Sequence, residues 1–175
     1  MTNRLHLYTG GGKGKTTAAM GLALRSLGHG RSVLIAQFLK DGSSGEIAAL
    51  RTFDTAHIFD MTPVKGFVFQ MSDKERAEAA QSMRRDAQRL EAWIAMQRPV
   101  LIVLDEMAGA METGLLPDED ARMLLDAALE FGETVITGRK PAPWLLARAD
   151  YITQMEAMRH PYDVDGLEAR KGIEW

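Results

Sequence analysis

Two rhythms of apolar residues alternate along the chain. Leu5-His6-Leu7-Tyr8, Ser32-Val33-Leu34-Ile35-Ala36-Gln37-Phe38, Val100-Leu101-Ile102-Val103-Leu104 and Glu133-Thr134-Val135-Ile136-Thr137 are short and nearly continuous in apolar character. That is how strands buried on both faces read. Between them, apolar residues recur every three or four positions: Ala19, Leu22, Ala23, Ser26 and Leu27; then Ala77, Ala80, Met83, Ala87, Leu90 and Ile94; then Ala121, Leu124, Leu125, Ala128 and Leu129. This spacing lays one stripe along an amphipathic helix. Weaker patterns predict a short helix over 46–53, a strand at His57-Ile58-Phe59, a short helix opened by Pro141-Ala142-Pro143-Trp144 and a last strand over 151–155.

Stops and starts agree with these elements. Gly28-His29-Gly30 is a helix end, Ser72-Asp73-Lys74-Glu75 is a capping box, Pro99 terminates the longest helix, and Pro117 and Gly132 bracket another. Strand and helix alternate, so the prediction is an α/β fold with a mainly parallel sheet and helices on both faces. The second strand is expected beside the first. The charged residues of the long helix, Arg84, Arg85, Asp86 and Arg89, read as a solvated face.

The most informative stretch joins the first strand to the first helix. Thr9-Gly10-Gly11-Gly12-Lys13-Gly14-Lys15-Thr16-Thr17 lets successive backbone N–H groups point into one concavity, where the helix start adds its positive dipole end. Such a nest wants an anion. Lys15 would reach outer phosphates and the Thr16 hydroxyl would ligate a magnesium ion. The general phosphate-loop rule needs glycine where Thr9 stands, so the strict motif fails by one residue; a glycine-rich turn without ligand is the bland alternative. Leu104-Asp105-Glu106, two carboxylates ending an apolar strand, is the matching Walker B pattern, whose acid approaches the magnesium; capping of the next helix is the alternative. Together these place the fold in the P-loop NTPase-like, RecA-like class.

Composition narrows the picture. A chain of 175 residues with 46% hydrophobic and 26% charged residues fits a single domain spanning 1–175. A net charge of -3 provides no global field for nucleic acid, so an anion site must be local. The absence of cysteine excludes disulfides, thiolate metal sites and a cysteine nucleophile. With no apolar run near the ~20 residues of a membrane span and no room for a signal peptide ahead of the first strand, no membrane partner and a cytoplasmic location are expected.

Three further segments carry open alternatives. Lys40-Asp41-Gly42-Ser43-Ser44-Gly45 follows a strand at the edge where open α/β sheets hold ligands, or is an ordinary turn. Thr62-Pro63-Val64-Lys65-Gly66-Phe67-Val68-Phe69-Gln70 is irregular, and its two phenylalanines either pin the loop to the core or form a platform for a flat ligand. Gly138-Arg139-Lys140 ends a strand with two cations, of which Arg139 could neutralise a triphosphate or merely lie in a surface turn. The tail from Arg159 to Trp175 lacks a regular period, and its aromatics suggest that it is packed.

Taken together, Tyr8-Thr9-Gly10 through Thr16-Thr17, Gly28-His29-Gly30, Gln37-Phe38, Gly66-Phe67, Leu104-Asp105-Glu106, Ile136-Thr137-Gly138-Arg139 and the run from His160 to Gly172-Ile173-Glu174 resemble the ATP:corrinoid adenosyltransferases of the bacterial P-loop type. The resemblance covers nearly the whole chain in order, and the loop without its first glycine is what that family looks like. It implies transfer of the 5′-deoxyadenosyl group of Mg2+-ATP to the Co(I) centre of a corrinoid, cobalamin or cobyrinic acid a,c-diamide, with release of triphosphate, in adenosylcobalamin biosynthesis or salvage. Gly10, Gly11, Gly12, Lys13, Gly14, Lys15, Thr16 and Thr17 then match the triphosphate cradle, with Arg139 as a further contact. Thr16 and Glu106 match the metal side, and Lys15 and Glu106 carry the catalytic role. Phe67 and Phe69 fall on what resembles the aromatic corrinoid loop. The implied partners are ATP, a corrinoid, a flavoprotein reductase and a second copy in a homodimer. Members of the family commonly carry an amphipathic segment ahead of the first strand and often a tryptophan as the loop's second aromatic; here the chain starts Met1-Thr2-Asn3 and the aromatic is Phe69. The alternative from another class is an ATP-hydrolysing switch or motor domain in which Glu106 positions a water.

Overall fold

The computed structural model describes residues 2–40, 44–64, 66 and 68–173. Six strands, β1 (Leu5–Thr9), β2 (Val33–Gln37), β3 (Ala56–Phe59), β4 (Leu101–Asp105), β5 (Glu133–Thr137) and β6 (Tyr151–Gln154), form one sheet in the order β3-β2-β4-β5-β1-β6. Every neighbouring pair is parallel. Seven helices connect or follow them: α1 (Lys15–Gly28), α2 (Gly45–Leu50), α3 (Asp73–Gln97), α4 (Met107–Glu112), α5 (Asp118–Phe131), α6 (Pro143–Arg148) and α7 (Pro161–Asp165). The expected α/β, P-loop-like architecture with helices on both faces is therefore present.

The continuous apolar runs are explained by alternation between two cores. Leu34, Ala36, Ile102, Leu104 and Ile136 enter the larger core, which holds the inner faces of α3, α4 and α5 and Leu145 of α6. Their strand neighbours Val33, Ile35, Leu101, Val103 and Val135 point the other way, against Ala19, Met20, Ala23 and Leu27 of α1 and Ile47 and Leu50 of α2. A period of two thus fills both sides of the sheet, and no position on β2 or β4 is left for a solvated side chain.

Three expectations are corrected. β2 does not lie beside β1: β4 and β5 stand between them, and β1 pairs with β5 and β6. The connection through α1 carries the chain across the sheet, and later strands fill the gap. Asp86 is not on a solvated face but buried. It sits one helical turn from Met83 and Leu90 on the inner stripe of α3, accepts the Thr62 backbone N–H at 2.6 Å and pairs with Arg89 at 2.7 Å. Among the described residues the tail is not buried: those after Met155 are exposed except the half-buried His160, and α7 is capped by the His160 ring, which accepts from the Tyr162 N–H, while Trp175 lies outside the described residues.

Asp86 thereby roots the segment that carries Phe69. Asp86→Ala would strand the Thr62 N–H and remove the partner of Arg89. We expect a loss of about 1–3 kcal/mol, the usual cost of an unsatisfied group. In amide exchange, Thr62 should lose protection well before the residues of β2 or β4. Unchanged exchange at Thr62 would show that the anchor is elsewhere.

Candidate active site

Carboxyl ends of parallel strands collect polar groups, and here they hold four of the seven buried polar or charged residues among the described residues. Thr9 ends β1, Gln37 ends β2, Asp105 ends β4 and Thr137 ends β5, and each is buried. Register places Gln37 directly across from Asp105. Asp105 is the centre: its Oδ1 accepts from Thr137 Oγ1 at 2.7 Å and Thr16 Oγ1 at 2.9 Å, and its Oδ2 accepts from Gln37 Nε2 at 2.9 Å and Lys40 Nζ at 2.8 Å. Four donors saturate a carboxylate that has no contact with solvent.

The glycine-rich loop closes over this edge. Lys15, the first residue of α1, folds back so that its ammonium donates to the carbonyls of Gly10 and Gly12 at 2.8 Å each. Thr9 does what a glycine in its place could not: its hydroxyl donates to the Arg139 carbonyl at 3.0 Å, which ties the loop to the end of β5. The loop also lies against the chain leaving β6, since Gly12 N–H donates to the Met155 carbonyl at 2.8 Å. Gly10 has φ 100°, and a Cβ there would come within 2.3 Å of the Met155 carbonyl oxygen, so no other residue fits. Gly11, Lys13 and Thr17 are exposed along the loop and the first turn, while Gly12 is buried and Gly14 half-buried.

Glu106 follows Asp105 in a left-handed conformation, φ 59°, that a non-glycine residue adopts only under constraint. The constraint is visible. Its N–H donates to Thr137 Oγ1 at 2.8 Å, and it stands at the N-cap of α4. Gly109 leaves room for the carboxylate, because a Cβ there would be 2.7 Å from Glu106 Oε2. Burial and the neighbouring Asp105 hold the Glu106 carboxyl above its ordinary range, against the pull of Lys40, Lys15 and Arg139. Burial likewise lowers the Lys15 ammonium. Three cations facing two carboxylates leave the edge short of negative charge, which is the electrostatic condition for a polyanion.

The structure brings Lys15, Thr16 and Glu106 of the expected site together, with Arg139 at its exposed rim. It adds Asp105 as the group bonded to Thr16, and Gln37, Lys40 and Thr137 around it. Phe69 is 80% exposed in a 3-10 turn over 68–70, so it does not pin its loop to the core. It borders an open cavity of about 440 Å3 lined also by Leu39, Val64, Gly66, Val68 and Arg76. Leu39 joins this cavity to the polar strand edge, since the next residue is Lys40. Phe67 lies outside the described residues, as do Asp41, Gly42 and Ser43 of the expected polar loop.

A carboxyl whose folded-state value is raised favours the fold below its ordinary range and loses that contribution as pH rises through the shifted value. Glu106→Gln removes the titration. The variant should therefore gain stability relative to the parent as pH climbs from the ordinary carboxylate range toward neutrality. Paired thermal melts from acid to neutral pH test this, and a difference independent of pH would contradict the strained, buried environment of Glu106.

Comparison with known proteins gives this geometry its context. The profile of the family described as ATP:corrinoid adenosyltransferase BtuR/CobO/CobP matches residues 2–175. A corrinoid adenosyltransferase of Pseudomonas aeruginosa is 33% identical over 174 residues, covering 98% of this chain and 83% of the relative. The corrinoid adenosyltransferase CobA of Salmonella typhimurium is 31% identical over 171 residues, covering 97% and 84% respectively. One of Escherichia coli K12 is 31% identical over 170 residues with the same coverage. With a full-length family match laid over a phosphate loop, a paired-carboxylate strand end and an adjoining apolar cavity, the chain belongs to the ATP:corrinoid adenosyltransferase family.

Proposed function

We propose that the loop from Gly10 to Thr17 cradles the triphosphate of ATP while the cavity beside Phe69 receives the corrinoid, and that the chain joins them by adenosyl transfer. ATP-dependent adenosyl transfer to a corrinoid is the reaction of its family, and the match does not support the hydrolytic switch. The observation that carries the residue assignment is the meeting of Lys15, Thr16 and Glu106 at one sheet edge, with an excess of cationic charge there.

The chemistry asks little covalent work of the protein. A Co(I) centre is the nucleophile: its electron pair forms the bond to C5′ as the C5′–O5′ bond breaks, and that bond's electrons leave on triphosphate. No general base is needed. Catalysis then rests on holding the reacting atoms in line and on stabilising the leaving polyanion. Lys15 and the backbone N–H groups of the loop do the second, helped by Lys13 and Arg139. The residues present fit a magnesium ion, which is commonly bound through one or two carboxylates plus substrate phosphates rather than an all-protein cage. Thr16 and Glu106 would hold it, Asp105 would orient the Thr16 hydroxyl from behind, and the ion would neutralise charge on the phosphates. Among the described residues no cluster of three or more metal-ligating acids, histidines or cysteines competes with this arrangement. A flavoprotein reductase as the source of Co(I), a homodimer and a cytoplasmic location complete the proposal; among the described residues no helix is long and apolar enough to cross a membrane.

Incubation with Mg2+-ATP and a chemically reduced corrinoid should yield triphosphate and a cobalt–carbon bond in equal amounts. Lys15→Ala should lower the rate by about 10²–10³, the usual loss when a donor to a developing anion is removed. ADP and phosphate as the only products would return the hydrolytic reading.

The exposure of Phe69 generates a second expectation. Phe67→Ala with Phe69→Ala should leave melting temperature and ATP binding nearly intact, whereas a buried Phe→Ala change costs about 3–5 kcal/mol. Activity from a Co(II) corrinoid with a mild reductant should fall more than activity from pre-reduced Co(I), because displacing the lower axial ligand matters only to the former. Equal loss of both activities would remove these rings from the corrinoid side.

A further inference from the structure

Lys40 reaches the centre of the site from outside the glycine loop. Its side chain is 31% exposed, yet its ammonium stands 2.8 Å from Oδ2 of the wholly buried Asp105 and 2.9 Å from Thr16 Oγ1. The other donors to Asp105 are the amide of Gln37 and the hydroxyls of Thr16 and Thr137, all neutral. Lys40 therefore brings the positive charge that a buried carboxylate requires. The Thr16 hydroxyl spends its proton on Asp105 Oδ1, so its oxygen is left as an acceptor, and Lys40 takes it. This is the same oxygen that the magnesium reading assigns to the metal.

We propose that Lys40 is a tethered stand-in cation. Without a divalent ion it holds Thr16 and Asp105 in their working geometry; when magnesium arrives with a polyphosphate it yields the Thr16 oxygen and turns toward the phosphates. A dication and an ammonium sharing one hydroxyl oxygen lie only a few ångströms apart and repel each other strongly in a partly dry site. Occupancy is accordingly exclusive. The incoming phosphates provide the negative charge that receives the displaced ammonium, so metal and nucleotide bind together far better than metal alone. Lys40 is a positioning residue in this scheme, acting through Thr16 and Asp105.

The inference rests on the proposed magnesium site, and a nucleotide-free titration separates the two. Manganese(II) is added to the whole protein and free ion is followed by paramagnetic resonance. Lys40→Met should bind the ion about tenfold or more tightly than the parent, a coupling of ordinary allosteric size. Lys40→Arg, which keeps the charge, should stay near the parent. In metal-free buffer Lys40→Met should melt earlier than the parent, and magnesium should restore it; a merely structural lysine gives the first effect without the second. Lys40→Gln, which retains an amide donor for Asp105, carries the same comparison if the methionine variant does not fold. Affinity unchanged in the neutral variant overturns the inference, and so does a gain that survives Thr16→Ala in the same chain. Turnover by the parent without any divalent ion would instead overturn the magnesium reading, whichever way the titration falls.

Discussion

A charge with no access to water has to be paid for by its neighbours, and Asp105 makes four elements of this protein do so at once. Its two oxygens are shared by the first turn of α1, the end of β2, the segment after β2 and the end of β5. Each partner is thereby held in one rotamer, since a missing donor would leave a buried carboxylate short of a bond in a medium where that is costly. β1 and β4 are separated by β5, so the phosphate loop and the carboxylate strand are not neighbours in the sheet. Thr137 closes that gap. Its hydroxyl donates to Asp105 and accepts the N–H of Glu106, which couples the strand between them to the conformation of the second acid.

That coupling explains why the two carboxylates differ although they are adjacent in sequence. Asp105 points into the sheet edge and is saturated. Glu106 leaves the strand with reversed φ, caps α4 and faces the cations with its carboxyl held above the ordinary range. Lys15 is lowered chiefly by burial, with Arg139 and Lys40 adding to it against the opposing pull of Glu106 and Asp105. Both departures have burial as their first cause: an acid and a base are each held where their charged form is poorly solvated. Under the proposed function, a charged ligand that restores the missing solvation would favour the ionised form of both groups.

Much of this was legible in the sequence because it is local. The glycine loop, the capping box at Ser72, the Pro99 stop and the acids after Leu104 owe their meaning to neighbours a few residues away, and the structure has them where those signals put them. What depended on register was not. The order of β1 and β2 depends on which strands arrive later. The roles of Gln37, Lys40 and Thr137 appear only when β2, β4 and β5 are laid side by side. Asp86 shows a different failure: helical spacing puts it on the buried stripe with Met83 and Leu90, yet its charge argues for solvent. Spacing prevailed because Thr62 and Arg89 supply the bonds that make burial tolerable.

Asp86 and Lys40 also link the two halves of the site. Asp86 fixes the start of the segment that carries Phe69, and that segment forms one wall of the apolar cavity. Leu39 forms another wall, and its backbone continues directly into Lys40. A flat apolar ligand settling against Leu39 and Phe69 would therefore bear on the backbone that positions the Lys40 ammonium. Conversely, an ammonium drawn toward phosphates would pull on Leu39. The apolar cavity and the polar strand edge, the proposed corrinoid and phosphate sides, are joined by two consecutive residues, the shortest connection a chain allows between an apolar contact and a charge.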